Sequence, residues 1–178
     1  VIPDTINDYL ADGPFEKISD KHPAVVEAVQ TATARFYKLL SIQGTRSVDS
    51  FHKELGQIMW EYCGMNRTEE GLIKAIGLIR ELREEYWRNV RVTGINEDFN
   101  QALERAGRVA DFFELGELMC IDALHRRESQ TEEGEALRHD DEFLYVAAWE
   151  WTGEGNKPIL HREPLVYKAI ELKQRSYK

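Results

Sequence analysis

The sequence predicts a mainly α protein: an antiparallel three-helix bundle with a short leading helix and a small β-hairpin-like extension near its C-terminal end. Two observations point to the bundle. In FHKELGQIMWEYCGMNRTEEGL, residues 51–72, Phe51, Leu55, Ile58, Met59 and Tyr62 recur at steps of three and four, the spacing that gathers apolar side chains on one helix face. A glycine stop and a fresh helix start follow within a few residues, so the two helices should lie side by side and antiparallel. A third observation points to the extension. In FLYVAAWEW, Phe143, Tyr145, Ala147, Trp149 and Trp151 alternate with Leu144, Val146, Ala148 and Glu150, the period of a strand.

The first element is a helical stretch from Asp4 to about Ala11, stopped by the Asp12-Gly13-Pro14 breaker. Pro23 stands where a first helical residue tolerates a missing N–H. From there a helix should run to about Ile42, with Val25, Val29, Ala32, Phe36, Leu39 and Leu40 at core spacing and Gly44 closing it. The next helix opens near Ser47 and ends at Gly64. Thr68 is the N-cap of its successor, with Glu69 and Glu70 in the first turn, where the positive end of the helix dipole favours acids. That helix runs to about Val90 and turns Leu72, Ile76, Ile79, Leu82, Tyr86 and Val90 inward. After Gly94 comes a longer helix, from about 98 to 127. Leu103, Ala106, Val109, Ala110, Phe112, Phe113, Leu115, Leu118, Met119, Cys120, Ile121 and Leu124 occupy more than one of its faces. So wide an apolar surface touches neighbours on two sides: either this is the central helix of the bundle, the preferred reading, or part of it docks on something outside the chain. The layout is spectrin-repeat-like and fills residues 21–128.

Residues 129–178 form an extended and β appendage. The acidic QTEEGEALRHDDE leads into the strand, a loop at 153–158 turns it back through Ile159 and Leu160, and the basic QRSYK, with Arg175 and Lys178, ends the chain in solvent. Two of the four Trp sit in the one strand, so the appendage should lie against another surface, because Trp bodies are costly to leave wet.

At 178 residues, 42% hydrophobic and 31% charged, the chain can bury about two-thirds of its unfolded surface around one core. A net charge of -9, with basic residues interleaved among acids, argues against an electrostatic hold on nucleic acid. No run of about 18 apolar residues exists to span a bilayer, and the start lacks a basic-then-apolar leader, so the chain reads as soluble and intracellular. Cys63 and Cys120 both fall on apolar helix stripes, which favours free buried thiols over a disulfide or a metal pair.

The candidate chemistry is thin. Asp49 with His52, and Asp122 with His125, have the carboxylate-x-x-His spacing that puts two metal ligands one turn apart on a helix, as in di-iron bundles. Such a site also needs inward carboxylates from other helices, and the core positions are apolar, so helix capping and solvated charge account for both pairs. His139-Asp140 suggests an HD-type metal phosphohydrolase, but no Asp follows Asp141 to complete its ligands. His22 before Pro23 reads as a helix-start residue. Arg126 reads as a cation settling a helix C-terminus, and Arg127 either does the same or anchors a neighbouring domain. No catalytic, cofactor-binding or metal-binding residue is assigned.

The strings VIPDTINDYLA, FHKELGQIMWEYCGM, REEYWRNVRVTG, NQALERAGRVADFFELGELMCIDAL, RRES, DDEFLYVAAWEW and REPLVYKAIELKQRSYK, in this order, carry a resemblance nearly end to end. The chain resembles the C-terminal helical region of the succinate dehydrogenase / fumarate reductase flavoprotein subunit. The resemblance implies that residues 1–20 are a remnant of the end of the FAD-binding domain and that the chemistry lies upstream. No G-x-G-x-x-G follows a strand here, so the phosphate cradle of a dinucleotide is missing. FAD would belong to the full-length subunit and not to this piece. The resemblance further implies a part in FAD-dependent succinate–fumarate oxidoreduction, with electrons passing to an iron–sulfur subunit, on the cytoplasmic side of the inner membrane and peripheral to it. The piece itself would brace the flavin domain, supply part of the partner surface and be inactive alone, with artefactual oligomers through its exposed apolar faces. The family usually follows the RRES-like string with a glycine- and histidine-bearing loop, whereas Ser129 runs straight into Gln130, so a loop is expected to be missing there. The alternative is a freestanding helical protein-interaction module without catalysis.

Overall fold

The computed structural model describes residues 2–13, 17–94, 99–126 and 140–167, which fall into two units, 1–38 and 39–178. The first unit holds α1 (Ile2–Ala11) and most of α2 (Pro23–Ser41). His22 opens α2 as expected, its Nδ1 accepting from the Ala24 N–H at 3.3 Å. The stripe along α2 is not the core face that its spacing predicts. Val29 is 59% exposed, Phe36 43% exposed and Ala32 exposed, while Leu39 alone is fully enclosed. Periodicity reports that a helix has an apolar face; it does not report what covers that face.

In the second unit hydroxyl and amide caps fix three helix starts. Ser47 Oγ accepts from Ser50 N–H at 3.2 Å, opening α3 (Val48–Tyr62), and Thr68 Oγ1 accepts from Gly71 N–H at 3.1 Å, opening α4 (Glu69–Asn89). Asn100 Oδ1 accepts from Leu103 N–H at 3.0 Å and opens α5 (Gln101–Arg126), three residues later than the expected start. The helices run up, down and up. Phe51 meets Tyr86 edge to face at 5.1 Å between α3 and α4, and the Tyr86 hydroxyl donates to the Ala106 carbonyl at 2.7 Å between α4 and α5. α3 and α5 are therefore parallel, and Gly116 lets them close: a Cβ there would stand 3.3 Å from Met59 Sδ. Phe51, Leu55, Leu72, Ile79, Tyr86 and Phe113 fill the space between the three.

Two short strands close the base of the α3–α4 pair. β1 (Arg46–Ser47) pairs in parallel with β2 (Val90–Arg91), Arg46 opposite Val90 and Ser47 opposite Arg91. Asn89 Oδ1 accepts from both the N–H and the hydroxyl of Thr45 at 3.0 Å. The backbones come so near that a Cβ on Gly44 would lie 2.0 Å from the Asn89 carbonyl oxygen, which explains a glycine there.

The extension is an antiparallel hairpin of β3 (Tyr145–Glu150) and β4 (Ile159–Pro164), preceded by a short helix, α6 (Asp140–Phe143). The predicted alternation holds, with Tyr145, Ala147 and Trp149 half-buried and Val146, Ala148 and Glu150 exposed, although Phe143 falls in α6 and Trp151 lies past the end of the strand. Gly153 (φ 103°) and Gly155 (φ 78°) take left-handed conformations in the turn. The architecture is mainly helical with a small antiparallel sheet, as the sequence predicts. Arg127, the Ser129–Gln130 junction, His139, Arg175 and Lys178 lie outside the described residues.

Candidate functional site

The charged centre of the second unit lies where α4, α5 and the hairpin turn meet. Arg83 and Glu117 are only 5% and 2% exposed, and Arg83 Nη1 donates to Glu117 Oε2 at 2.6 Å. Arg80 takes the other carboxylate oxygen, at 2.7 Å from Nη2 and 2.8 Å from Nε. From the hairpin side Trp151 lies against the Arg83 guanidinium, 5.1 Å from its ring centroid, and Glu154 approaches Arg83 Nε at 3.6 Å. Burying a carboxylate is expensive unless its lone pairs are met, and two guanidinium groups meet them here. The arrangement ties three elements together, and Trp151 with Glu154 close it from the side of the hairpin.

The Asp122–His125 pair holds the other end of the hairpin. Asp122 Oδ1 accepts from Trp149 Nε1 at 2.9 Å and Oδ2 from Arg126 Nε at 3.0 Å. His125 Nε2 is hydrogen-bonded to the Tyr145 hydroxyl, and its ring packs edge-on against Phe143 at 5.7 Å and Trp149 at 5.5 Å. Helix capping and solvated charge do not describe this pair: the indole N–H of a half-buried Trp needs an acceptor, and Asp122 supplies it. Asp49 instead makes an exposed ion pair with Arg105 at 3.2 Å, and His52 lies against Phe112 at 5.6 Å. The two Asp-x-x-His pairs are thus placed toward opposite ends of α5 and do not meet. Among the described residues no three metal-capable side chains converge. Arg126 stands at the end of α5 as expected, directed at Asp122.

Near the bundle's base Arg46 binds Glu54, binds Glu85 Oε2 at 3.0 Å and lies 4.1 Å from the Phe51 ring centroid. Burial opposes the Arg46 charge, but the hydrogen bonds it donates to Glu54 and Glu85 outweigh it and raise its pKa. Glu85 is likewise opposed by burial, yet the Asn89 and Arg46 hydrogen bonds pull its carboxyl below the ordinary range. Beside this network a groove of about 860 Å³ runs past Thr45, Asp49, Arg91, Phe99, Asn100 and Arg105.

Sequence reasoning missed Arg80, Arg83, Glu117 and Arg46. A signal was present for the buried pair: Arg83 follows Ile79 by four and Glu117 follows Phe113 by four, so both charges occupy inward positions of their stripes.

The unpartnered surface is the other candidate. On α5, Leu115 and Met119 are 53% and 49% exposed on the face away from the core, and Phe112, at the edge of that stripe against His52, is 37% exposed. α5 meets α4 and α3 on its inner sides, as expected of a central helix, and leaves this stripe uncovered among the described residues. Trp60 is 80% exposed on α3. Among the described residues no helix is long and apolar enough to cross a membrane.

β1 passes from Ser47 directly into α3 with no glycine between them, and among the described residues the left-handed glycines are Gly94, between β2 and α5, and Gly153 and Gly155, in the hairpin turn.

Residues 52–177 match the family described as fumarate reductase flavoprotein C-term. The fumarate reductase flavoprotein subunit of Haemophilus influenzae is 28% identical over 123 residues, which cover 69% of this chain and 20% of that protein. Its counterpart in Escherichia coli K12 is 31% identical over 127 residues, 68% of this chain and 21% of the relative. A solved structure of E. coli quinol fumarate reductase superposes with a TM-score of 0.72 at 25% identity, covering 87% of this chain and 27% of that one. The chain thus spans about a fifth of the length of these curated relatives.

Proposed function

Because the chain belongs to the fumarate reductase flavoprotein C-terminal family, we propose that it is the C-terminal helical part of a flavoprotein subunit that interconverts fumarate and succinate and passes electrons to an iron–sulfur subunit. In this reading FAD and the catalytic residues belong to the rest of the subunit, and residues 1–20 continue its FAD-binding domain. Residues 21–128 are the brace, and 129–178 are an appendage laid on it. The assembled complex sits on the cytoplasmic side of the inner membrane, and this part does not enter the bilayer.

The observation that carries the structural role is the outer face of α5. Phe112, Leu115 and Met119 are placed for a neighbour, and an apolar stripe of that kind is stabilised by covering it. The Arg83–Glu117 centre supports the same reading, since it stiffens the junction of three elements without leaving a free group for catalysis.

The test is made on the full-length subunit and on this chain side by side. The chain alone should purify without flavin absorbance and without fumarate-reducing activity. In the full-length subunit, Leu115→Glu with Met119→Glu should weaken retention of the flavin domain or the iron–sulfur subunit. An isolated chain that retains FAD, or a double variant that assembles and turns over like the parent, would overturn the proposal.

A further inference from the structure

The parallel packing of α3 and α5 brings two thiols together. The helices touch at Gly116, where a Cβ would stand 3.3 Å from Met59 Sδ and 3.7 Å from Leu55 Cδ1. One turn further along each helix stand Cys63 and Cys120, so the same close approach carries over to them. Both cysteines are free; Cys120 is fully buried and Cys63 half-buried at the end of α3. Cys63 is near enough to Cys120 to be the neighbour that, after burial, acts most on its thiol. Cys63 is the C-cap of α3, with φ -119° and ψ 15°, so its backbone can adjust without unwinding the helix.

We propose that Cys63 and Cys120 form a dithiol site that a small-molecule disulfide oxidises to an intrachain disulfide, with Cys63 the entry thiol and Cys120 the resolving thiol.

The roles follow from access and charge. A disulfide such as oxidised glutathione reaches the half-buried sulfur first. The Cys63 thiolate attacks one sulfur of the oxidant, and the other leaves as a thiolate carrying the electron pair. Cys120 then loses its proton to solvent and attacks Cys63 Sγ, which expels the second thiolate. Two electrons pass from the protein to the oxidant, which ends as two thiols. Burial first, and then the neighbouring Cys63, push the Cys120 thiol well above the ordinary cysteine range, so it waits protonated. Converting Cys63 to a mixed disulfide removes that neighbour's charge, leaving Glu117 to oppose and Arg67 to favour the Cys120 thiolate. A disulfide needs Cα atoms about 4.4–6.8 Å apart, a separation that helices in contact through a glycine can offer and helices at ordinary spacing of about 8–10 Å cannot.

The experiment incubates the folded full chain with oxidised glutathione and follows intact mass, free thiols and mapped peptides. With only two cysteines in the sequence, each product is unambiguous. Wild type should lose two hydrogens, lose both alkylatable thiols and yield a Cys63–Cys120 cross-linked peptide as a monomer. Cys120→Ser should stop at a glutathione adduct on Cys63, and Cys63→Ser should leave Cys120 unmodified. Should a variant fail to fold, a transient Cys63 adduct preceding the cross-link in wild type carries the same information. A stable wild-type adduct with no cross-link, both thiols remaining free, or a disulfide-linked dimer would each overturn the proposal.

Discussion

A carboxylate sealed in a helical core persists only where cations are built around it, and Glu117 has two, Arg80 and Arg83. Replacing Glu117 by Ala leaves the buried Arg83 with only the more distant, exposed Glu154, so urea unfolding should show a loss of about 3–5 kcal/mol. The paired change Glu117→Leu with Arg83→Met should recover most of that loss, because a buried ion pair and an apolar pair of similar volume differ little in net stability. Tyr86→Phe removes one hydroxyl from the Ala106 carbonyl and should cost about 1 kcal/mol in the same measurement, with the ring contacts to Phe51 and Phe113 retained. These charged and hydroxyl-bearing side chains were the least legible in the sequence. Asp122 and His125 showed their helical spacing, yet their partners Trp149 and Tyr145 lie 27 and 20 positions away along the chain, and no local pattern encodes such a pairing.

The helices were legible because their signals are local. Ser47 and Thr68 cap where their side chains can reach the backbone three residues on, and the inward stripes of α3 and α4 are buried much as their spacing predicts. The closure of β1 on β2 was not, since a two-residue strand has no period to read and its partner lies across two helices. Gly44→Ala tests that closure. A methyl group there would overlap the Asn89 carbonyl, so the variant should lose the Thr45–Asn89 hydrogen bonds and melt at a lower temperature. The ion pairs beside it give a pH dependence. Glu85 titrates below the ordinary carboxylate range when folded, so its contribution is present above that range and is lost as pH falls through it toward the lowered value. Arg46 is raised and stays charged throughout that window. The stability gap between wild type and Glu85→Gln, followed by denaturant midpoint, should therefore shrink as the solution is acidified.

Taken as a whole, the chain carries more apolar surface than its described residues cover. That surface is divided between the exposed side of α2, read as core from its spacing, and the outer stripe of α5, read as either core or dock. A dye that fluoresces on exposed apolar surface should bind the isolated chain, and Leu115→Glu with Met119→Glu should reduce the signal without lowering the unfolding midpoint. The β1–β2 closure has a consequence for the order in which the molecule comes apart. By fastening residues 46 and 90 it turns α3 and α4 into a ring whose ends are already joined, so losing the hairpin, or even α5, need not release it. In deuterated water the inward amides of α3 and α4 should therefore be the last to exchange, long after those of β3 and β4 have been replaced.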